Sequence, residues 1–123
     1  MWNRVKGHVC KEFTGQPVIG LNERLRFLRY DPGEYFKPHF DGFYERDNGE
    51  ISLITLQLYL NEGFKGGSTT FISVTTGERV EFVPKTGSAL IFQHDILHEG
   101  SLLEEGRKYS VRTDIMFGKD KIL

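Results

Sequence analysis

Residues Ile51 to Leu60 alternate with a period of two: Ile54, Leu56, Leu58 and Leu60 form a wholly apolar row, and Thr55, Gln57 and Tyr59 a polar one. On a strand successive side chains leave on opposite faces, so this pattern specifies β structure with one face packed and the other turned towards something polar. The split recurs between Arg107 and Phe117, where Lys108, Ser110, Arg112 and Asp114 alternate with Tyr109, Val111, Ile115 and Phe117. Two distant strands thus agree on an apolar outer face and a polar inner mouth.

Around them the chain from Leu25 to Phe117 breaks into short strand-like segments. Leu25 to Tyr30 stops at the turn Asp31-Pro32-Gly33, where proline presets φ and glycine accepts a positive one. Tyr35 to Asp41, Ser68 to Ser73, Arg79 to Val83 and Gly87 to Phe92 follow, separated by Asn61-Glu62-Gly63, Lys65-Gly66-Gly67, Thr76-Gly77 and Thr86-Gly87. Between Gly42 and Glu50 a polar loop is placed to act as a lid. In Met1 to Gly20, Val5, Val9 and Phe13 have a loose helical spacing that Gly7 and Gly15 weaken, which predicts one short helix at most. Such a helix cannot cover the row Ile54, Leu56, Leu58 and Leu60. Residues preceding Met1, or a second copy of the chain, are therefore expected to supply the cover.

With 123 residues the chain is expected to form one domain over 1–123, residues 1–24 being an N-terminal extension and 25–117 the core. The net charge of −1, with basic residues scattered along the chain, gives no footprint for nucleic acid. No apolar run approaches the roughly 20 residues of a membrane span, and the start carries no apolar stretch of a secretory signal. Cys10 is the sole cysteine, so no internal disulfide can form, and a reducing, cytoplasmic setting is expected.

Chemistry concentrates at His39-Phe40-Asp41. On a strand His39 and Asp41 project together, and a second imidazole from a distant strand, His98, completes two nitrogens and one carboxylate. That set holds a non-haem Fe(II) on one face and leaves the other positions open. A structural zinc site would close its shell with four protein ligands, commonly cysteines, and only one cysteine exists here. Alone, His-x-Asp is a loose pattern that also describes an accidental surface pair. His94 and His98 have the spacing of a helical metal pair, but the preceding residues read as a strand, which favours for His94 a role behind a metal ligand or at the rim over ligation. His8 reads as a surface residue. Gly66-Gly67 lacks the following helix that a phosphate site needs.

Leu28-Arg29-Tyr30-Asp31-Pro32-Gly33, Tyr35-Phe36-Lys37-Pro38-His39-Phe40-Asp41-Gly42, Leu58-Tyr59-Leu60-Asn61 and Gly66-Gly67-Ser68-Thr69-Thr70-Phe71 occur in this order, followed by Pro84-Lys85-Thr86-Gly87-Ser88-Ala89-Leu90-Ile91-Phe92, His98-Glu99-Gly100 and Gly106-Arg107-Lys108-Tyr109. From about Leu25 onward the chain thereby resembles the prolyl 4-hydroxylase-like branch of the 2-oxoglutarate- and Fe(II)-dependent dioxygenases. The resemblance implies a mostly β chain, a double-stranded β-helix or jelly-roll core with little flanking helix, and iron held by His39, Asp41 and His98. It places Lys108 on the far carboxylate of 2-oxoglutarate, with Arg112 as a competitor on the same face and Arg107 on the opposite one. Tyr30 and Tyr59 stand where the family sets phenols against the co-substrate, although ordinary packing accounts for them equally well. Thr55 and Ser110 would line the same polar face. The implied reactants are O2 and 2-oxoglutarate, with ascorbate as an admissible accessory reductant. Asp41 argues against a halogenase, since those relatives lose the carboxylate.

Three departures bear on the substrate: little helix precedes Leu25, the loop after Asp41 is short, and Tyr109 stands where collagen-type enzymes tend to carry tryptophan. Hydroxylation of a prolyl residue in a peptide or protein leads the expectations. A small-molecule or free amino-acid hydroxylase, and a jelly-roll binding module without oxidation, stay open beside it.

Overall fold

The polar/apolar alternation becomes two curled antiparallel sheets in the computed structural model, which describes residues 1–118, so that residues 119–123 of the expected domain lie outside it. A single helical turn, α1 (Trp2–Val5), and a 3₁₀ turn at Lys6–His8 open the chain. Strands β1 (Glu12–Phe13), β2 (Gln16–Leu21), β3 (Arg26–Tyr30), β4 (Phe36–His39), β5 (Ile51–Tyr59) and β6 (Lys65–Gly66) follow. Then come β7 (Thr69–Ile72), β8 (Arg79–Phe82), β9 (Ala89–Gln93), β10 (His98–Gly100), β11 (Leu103–Glu105) and β12 (Lys108–Phe117). The larger sheet runs β1-β2-β12-β5-β9, and the smaller β4-β10-β7-β8, while β6 and β11 form a ribbon. This is the mostly β chain that the alternation predicts and the jelly roll that the family resemblance implies.

Strand β12 organises the larger sheet. One edge pairs with β5, and the other takes β3 along Lys108 to Arg112 and then β2 along Ile115 to Phe117. Its register with β5 passes from Ile115 opposite Ile54 to Met116 opposite Ser52, which leaves Leu53 as an extra residue, a β-bulge. Past the bulge the alternation is reversed. Ser52 and Thr55, three apart, therefore both turn inward.

The one short helix expected near the N-terminus is present as α1, and a strand not predicted from the sequence follows it. Residues Gln16–Leu21 form this strand on the stretch of β12 that β3 leaves free, a place suited to the β-branched pair Val18-Ile19. Trp2, Val9, Phe13, Val18 and Leu21 pack on the buried cluster Leu53, Ile54, Ile115 and Phe117. The chain's own first residues thus pack over Ile54, at the near end of the apolar row. The cover ends before Leu60, which is 43% exposed. Among the described residues no helix is long and apolar enough to cross a membrane.

Candidate metal and co-substrate site

Strands β4 and β10 are antiparallel neighbours in the smaller sheet, and their register sets His39 directly opposite His98. Asp41 lies just beyond β4, its backbone N–H donating to the His94 carbonyl at 3.0 Å. His39 Nδ1 is 2.7 Å from the Lys37 carbonyl and His98 Nδ1 is 2.9 Å from that of Ile96. A carbonyl only accepts, so each Nδ1 carries the proton and each Nε2 presents a lone pair. Both Nε2 atoms stand 3.5 Å from Asp41 Oδ1. The three ligand atoms lie within 4.8 Å of one another. His98 Nε2 is buried without any hydrogen-bond partner, an arrangement that costs free energy unless something fills the space it faces. Two imidazole nitrogens and one carboxylate oxygen, converging from one side, are the donor set that suits Fe(II) with open positions.

The bulge at Leu53 builds the support for this set. Thr55 Oγ1 donates to Asp41 Oδ2 at 2.6 Å, because an ionised carboxylate can only accept. Its single proton is then used, so the 2.8 Å contact with His94 Nδ1 must be donated by the imidazole. His94 Nε2, 3.0 Å from Ser52 Oγ, accepts in turn, and Ser52 Oγ receives the Tyr44 backbone N–H at 2.8 Å. A directional chain thus runs from the segment after Asp41 back to Asp41 itself. It occupies Oδ2 and leaves Oδ1 facing the histidines. Arg112 Nη1 approaches Oδ1 to 3.3 Å. Burial opposes ionisation of Asp41, yet the Thr55 hydroxyl and the Arg112 charge outweigh it and hold the carboxyl below the ordinary carboxylate range. Burial pushes both His39 and His94 below the ordinary imidazole value, which favours the neutral rings this geometry requires.

The larger sheet supplies the other end. Lys108 is paired across β3 and β12 with Tyr30, is 4% exposed, and has its Nζ 5.0 Å from the Tyr30 ring centre and 5.7 Å from that of Tyr59. No carboxylate lies within ion-pair distance of it among the described residues. Burial alone drives its pKa down to about 8. A narrow cavity of about 40 Å³, lined by Tyr30, His39, Gln57, His98, Lys108 and Ser110, connects this ammonium to the imidazoles. Its volume is room for about three water molecules. A Cβ on Gly100 would meet Phe36 Cβ at 3.2 Å and the Tyr30 hydroxyl at 3.7 Å, so glycine keeps this wall open.

The structure thus brings His39, Asp41 and His98 together and lines one cavity with Tyr30, Ser110 and Lys108. Thr55 does not line that cavity but turns to Asp41 and His94. Tyr59 contributes its ring while its hydroxyl is engaged with Thr69 at 2.6 Å and Gln57 at 2.9 Å, and burial pushes its pKa up to about 12. Arg107 points away, with its Nε 3.2 Å from Asp31. Sequence reasoning missed the pairing of His94 with Ser52 and Thr55, since nothing in the residues marks the bulge that aligns them.

The 2OG-Fe(II) oxygenase superfamily model matches residues 25–113. The chain belongs to that superfamily, and with it come Fe(II), 2-oxoglutarate and O2 as the family's cofactor and co-substrates. Prolyl 4-hydroxylase 2 of Arabidopsis thaliana is 32% identical over 82% of this chain and 44% of its own length. The probable prolyl 4-hydroxylase 11 of the same plant is 36% identical over 66% of this chain and 28% of its own. The crystal structure of a Pseudomonas putida prolyl-4-hydroxylase superposes with a TM-score of 0.59 at 25% identity, covering 74% of this chain and 50% of that one. The chain spans less than half the length of these two plant relatives.

Proposed function

We propose that this chain is a 2-oxoglutarate-dependent hydroxylase in which His39 Nε2, Asp41 Oδ1 and His98 Nε2 hold Fe(II) and Lys108 holds the far carboxylate of 2-oxoglutarate. The observation that carries the reading is a complementary pair of groups: among the described residues, a buried imidazole lone pair has no hydrogen-bond partner at one end of a cavity, and a buried ammonium has no counter-ion at the other. The family's co-substrate offers a chelating end for the first and a carboxylate for the second. When bound, the iron supplies the redox chemistry by which O2 decarboxylates 2-oxoglutarate to succinate and carbon dioxide and a substrate C–H becomes C–OH.

The protein's own contribution is placement. The Nδ1–H bonds of His39 and His98 fix ring orientation, and Thr55 keeps Asp41 turned so that one oxygen faces the metal. Lys108 compensates a charge that would otherwise be desolvated alone, and the phenyl walls at Phe71 and Phe92, packed against His98, keep bulk water from the imidazole. A prolyl residue in a peptide is the proposed substrate, supported by the prolyl hydroxylase relatives and by the exposed aromatic side chain of Phe36 against His39.

Anaerobic titration with Fe(II) and 2-oxoglutarate is expected to give the visible charge-transfer band of the chelate, and a wild-type protein without that band would overturn the reading. Succinate release should be stimulated by proline-containing peptides and not by free amino acids. The reverse pattern rejects the peptide substrate.

A further inference from the structure

On the other side of Arg112 from the Lys108 cavity lies a second cleft of about 220 Å³, walled by Arg24, Arg26, Tyr44, Arg112 and Asp114 among others. The register of β3 on β12 places Arg26 directly opposite Arg112. Like charges facing each other across a ladder destabilise it unless an anion lies between them. Arg112 reaches Asp41 at 3.3 Å and Asp114 at 3.5 Å. Arg24 and Arg26 have no carboxylate within 4.0 Å among the described residues, and Glu23, the other acid of the cleft, is taken by Arg46. Once Asp41 is committed to a metal, Arg112 keeps Asp114 alone, and three guanidinium groups share a wall with one available carboxylate.

We infer that this cleft is a carboxylate-binding subsite for the substrate, with Arg26 and Arg112 gripping one carboxylate between them. This rests on the hydroxylase reading above. Guanidinium forks match the two oxygens of a carboxylate, which makes such a pair a selective site rather than a diffuse positive patch. Because Arg112 itself touches Asp41 Oδ1, the bound anion lies beside the metal position. An extended peptide advances about 3.3 to 3.6 Å per residue, so the acidic group belongs one or two residues from the hydroxylated one. The carboxylate has two sources, an acidic side chain in a peptide or the α-carboxylate of a small substrate.

Binding to protein loaded with Fe(II) and saturating 2-oxoglutarate under nitrogen separates them. The probes are acetyl-Glu-Pro-Gly-amide and acetyl-Pro-Glu-Gly-amide, each against its glutamine counterpart, and acetyl-proline against acetyl-prolinamide. At least one charged member is expected to bind about tenfold more tightly than its neutral counterpart, an advantage that shrinks with added salt, vanishes in Arg26→Gln and is partly kept in Arg26→Lys. A peptide winner identifies an acidic peptide, and acetyl-proline a small carboxylic acid. Equal binding of charged and neutral members, or an advantage that survives Arg26→Gln, overturns the inference. The chelate band separates the two failures: without it the hydroxylase reading falls, whereas a normal band with no charge discrimination removes the carboxylate subsite alone.

Discussion

The two ends of the candidate site are stabilised in opposite ways. At the triad nearly every polar atom already has a partner: each Nδ1 bonds a carbonyl, Asp41 Oδ2 bonds Thr55, and only the atoms facing the metal position are left. The Lys108 ammonium, by contrast, has no carboxylate within ion-pair distance among the described residues. It sits buried against two aromatic faces, a partial compensation. One end is preorganised by hydrogen bonds; the other holds a charge whose desolvation cost is offset only when an anion arrives. The metal end should therefore tolerate no loss of donor, and the lysine end should trade binding against stability.

Removing a ligand tests the first half most severely. Asp41→Ala is expected to abolish the Fe(II)/2-oxoglutarate chelate band altogether, and with it succinate formation, because the two histidines then lack the anionic donor. A band of normal intensity in this variant would mean that the iron lies elsewhere. The fold should survive, since the core around Ile54 and Ile115 does not involve Asp41.

Lys108→Met tests the second half and has two signs. Affinity for 2-oxoglutarate should fall about 10- to 100-fold, the range for losing a bond between charged groups. The ligand-free protein should at the same time become more stable. The lysine pKa falls from 10.5 to about 8 on folding, so the unfolded chain binds the extra proton between those values and stability rises with pH across that window. Below about 8 the folded state carries the whole cost, on the order of 3 kcal/mol. Thermal melts at pH 7 should therefore show the variant several degrees above wild type, and melts at pH 10.5 a much smaller gap. Co-substrate binding runs the other way: it favours the ammonium, so affinity should be level below pH 7 and fall about tenfold per unit above 8. Isothermal titration in Lys108→Arg, which stays charged, should show a level profile.

A weaker effect isolates the support behind Asp41. Thr55→Val keeps the shape and removes the hydroxyl, so Fe(II) or Co(II) affinity should drop about tenfold, the smaller end of the range for residues behind a ligand. The same residue marks what could be read from the sequence. Alternation alone turned Thr55, Gln57 and Tyr59 inward and Lys108, Ser110 and Arg112 with them, because a period of two needs only local sterics. His39, Asp41 and His98 were legible through their neighbours. The bulge at Leu53 was not, since it is a register change settled by pairing with β12, and neither was the hydrogen-bond chain it creates through Ser52 and His94. Strand β2 escaped notice for a related reason: Gln16–Leu21 is a strand because β12 offers it an edge, whereas its own Pro17 and Gly20 speak against one.

The smallest expected effect distinguishes two roles for one side chain. Tyr30 stacks beneath Lys108 Nζ and directs its hydroxyl towards Gly100, inside the cavity, and burial, followed by the nearby Glu34 charge, raises its pKa, so it remains a neutral donor. Tyr30→Phe keeps the ring under the ammonium and deletes only the hydroxyl. If the phenol bonds the co-substrate, affinity for 2-oxoglutarate should fall about fivefold, the equivalent of about 1 kcal/mol for one neutral hydrogen bond. Thermal stability should hardly change, because the aromatic contact with Lys108 is retained. Unchanged affinity would assign Tyr30 to the lysine instead of the co-substrate, making it part of what lets a cation stay buried until its anion arrives.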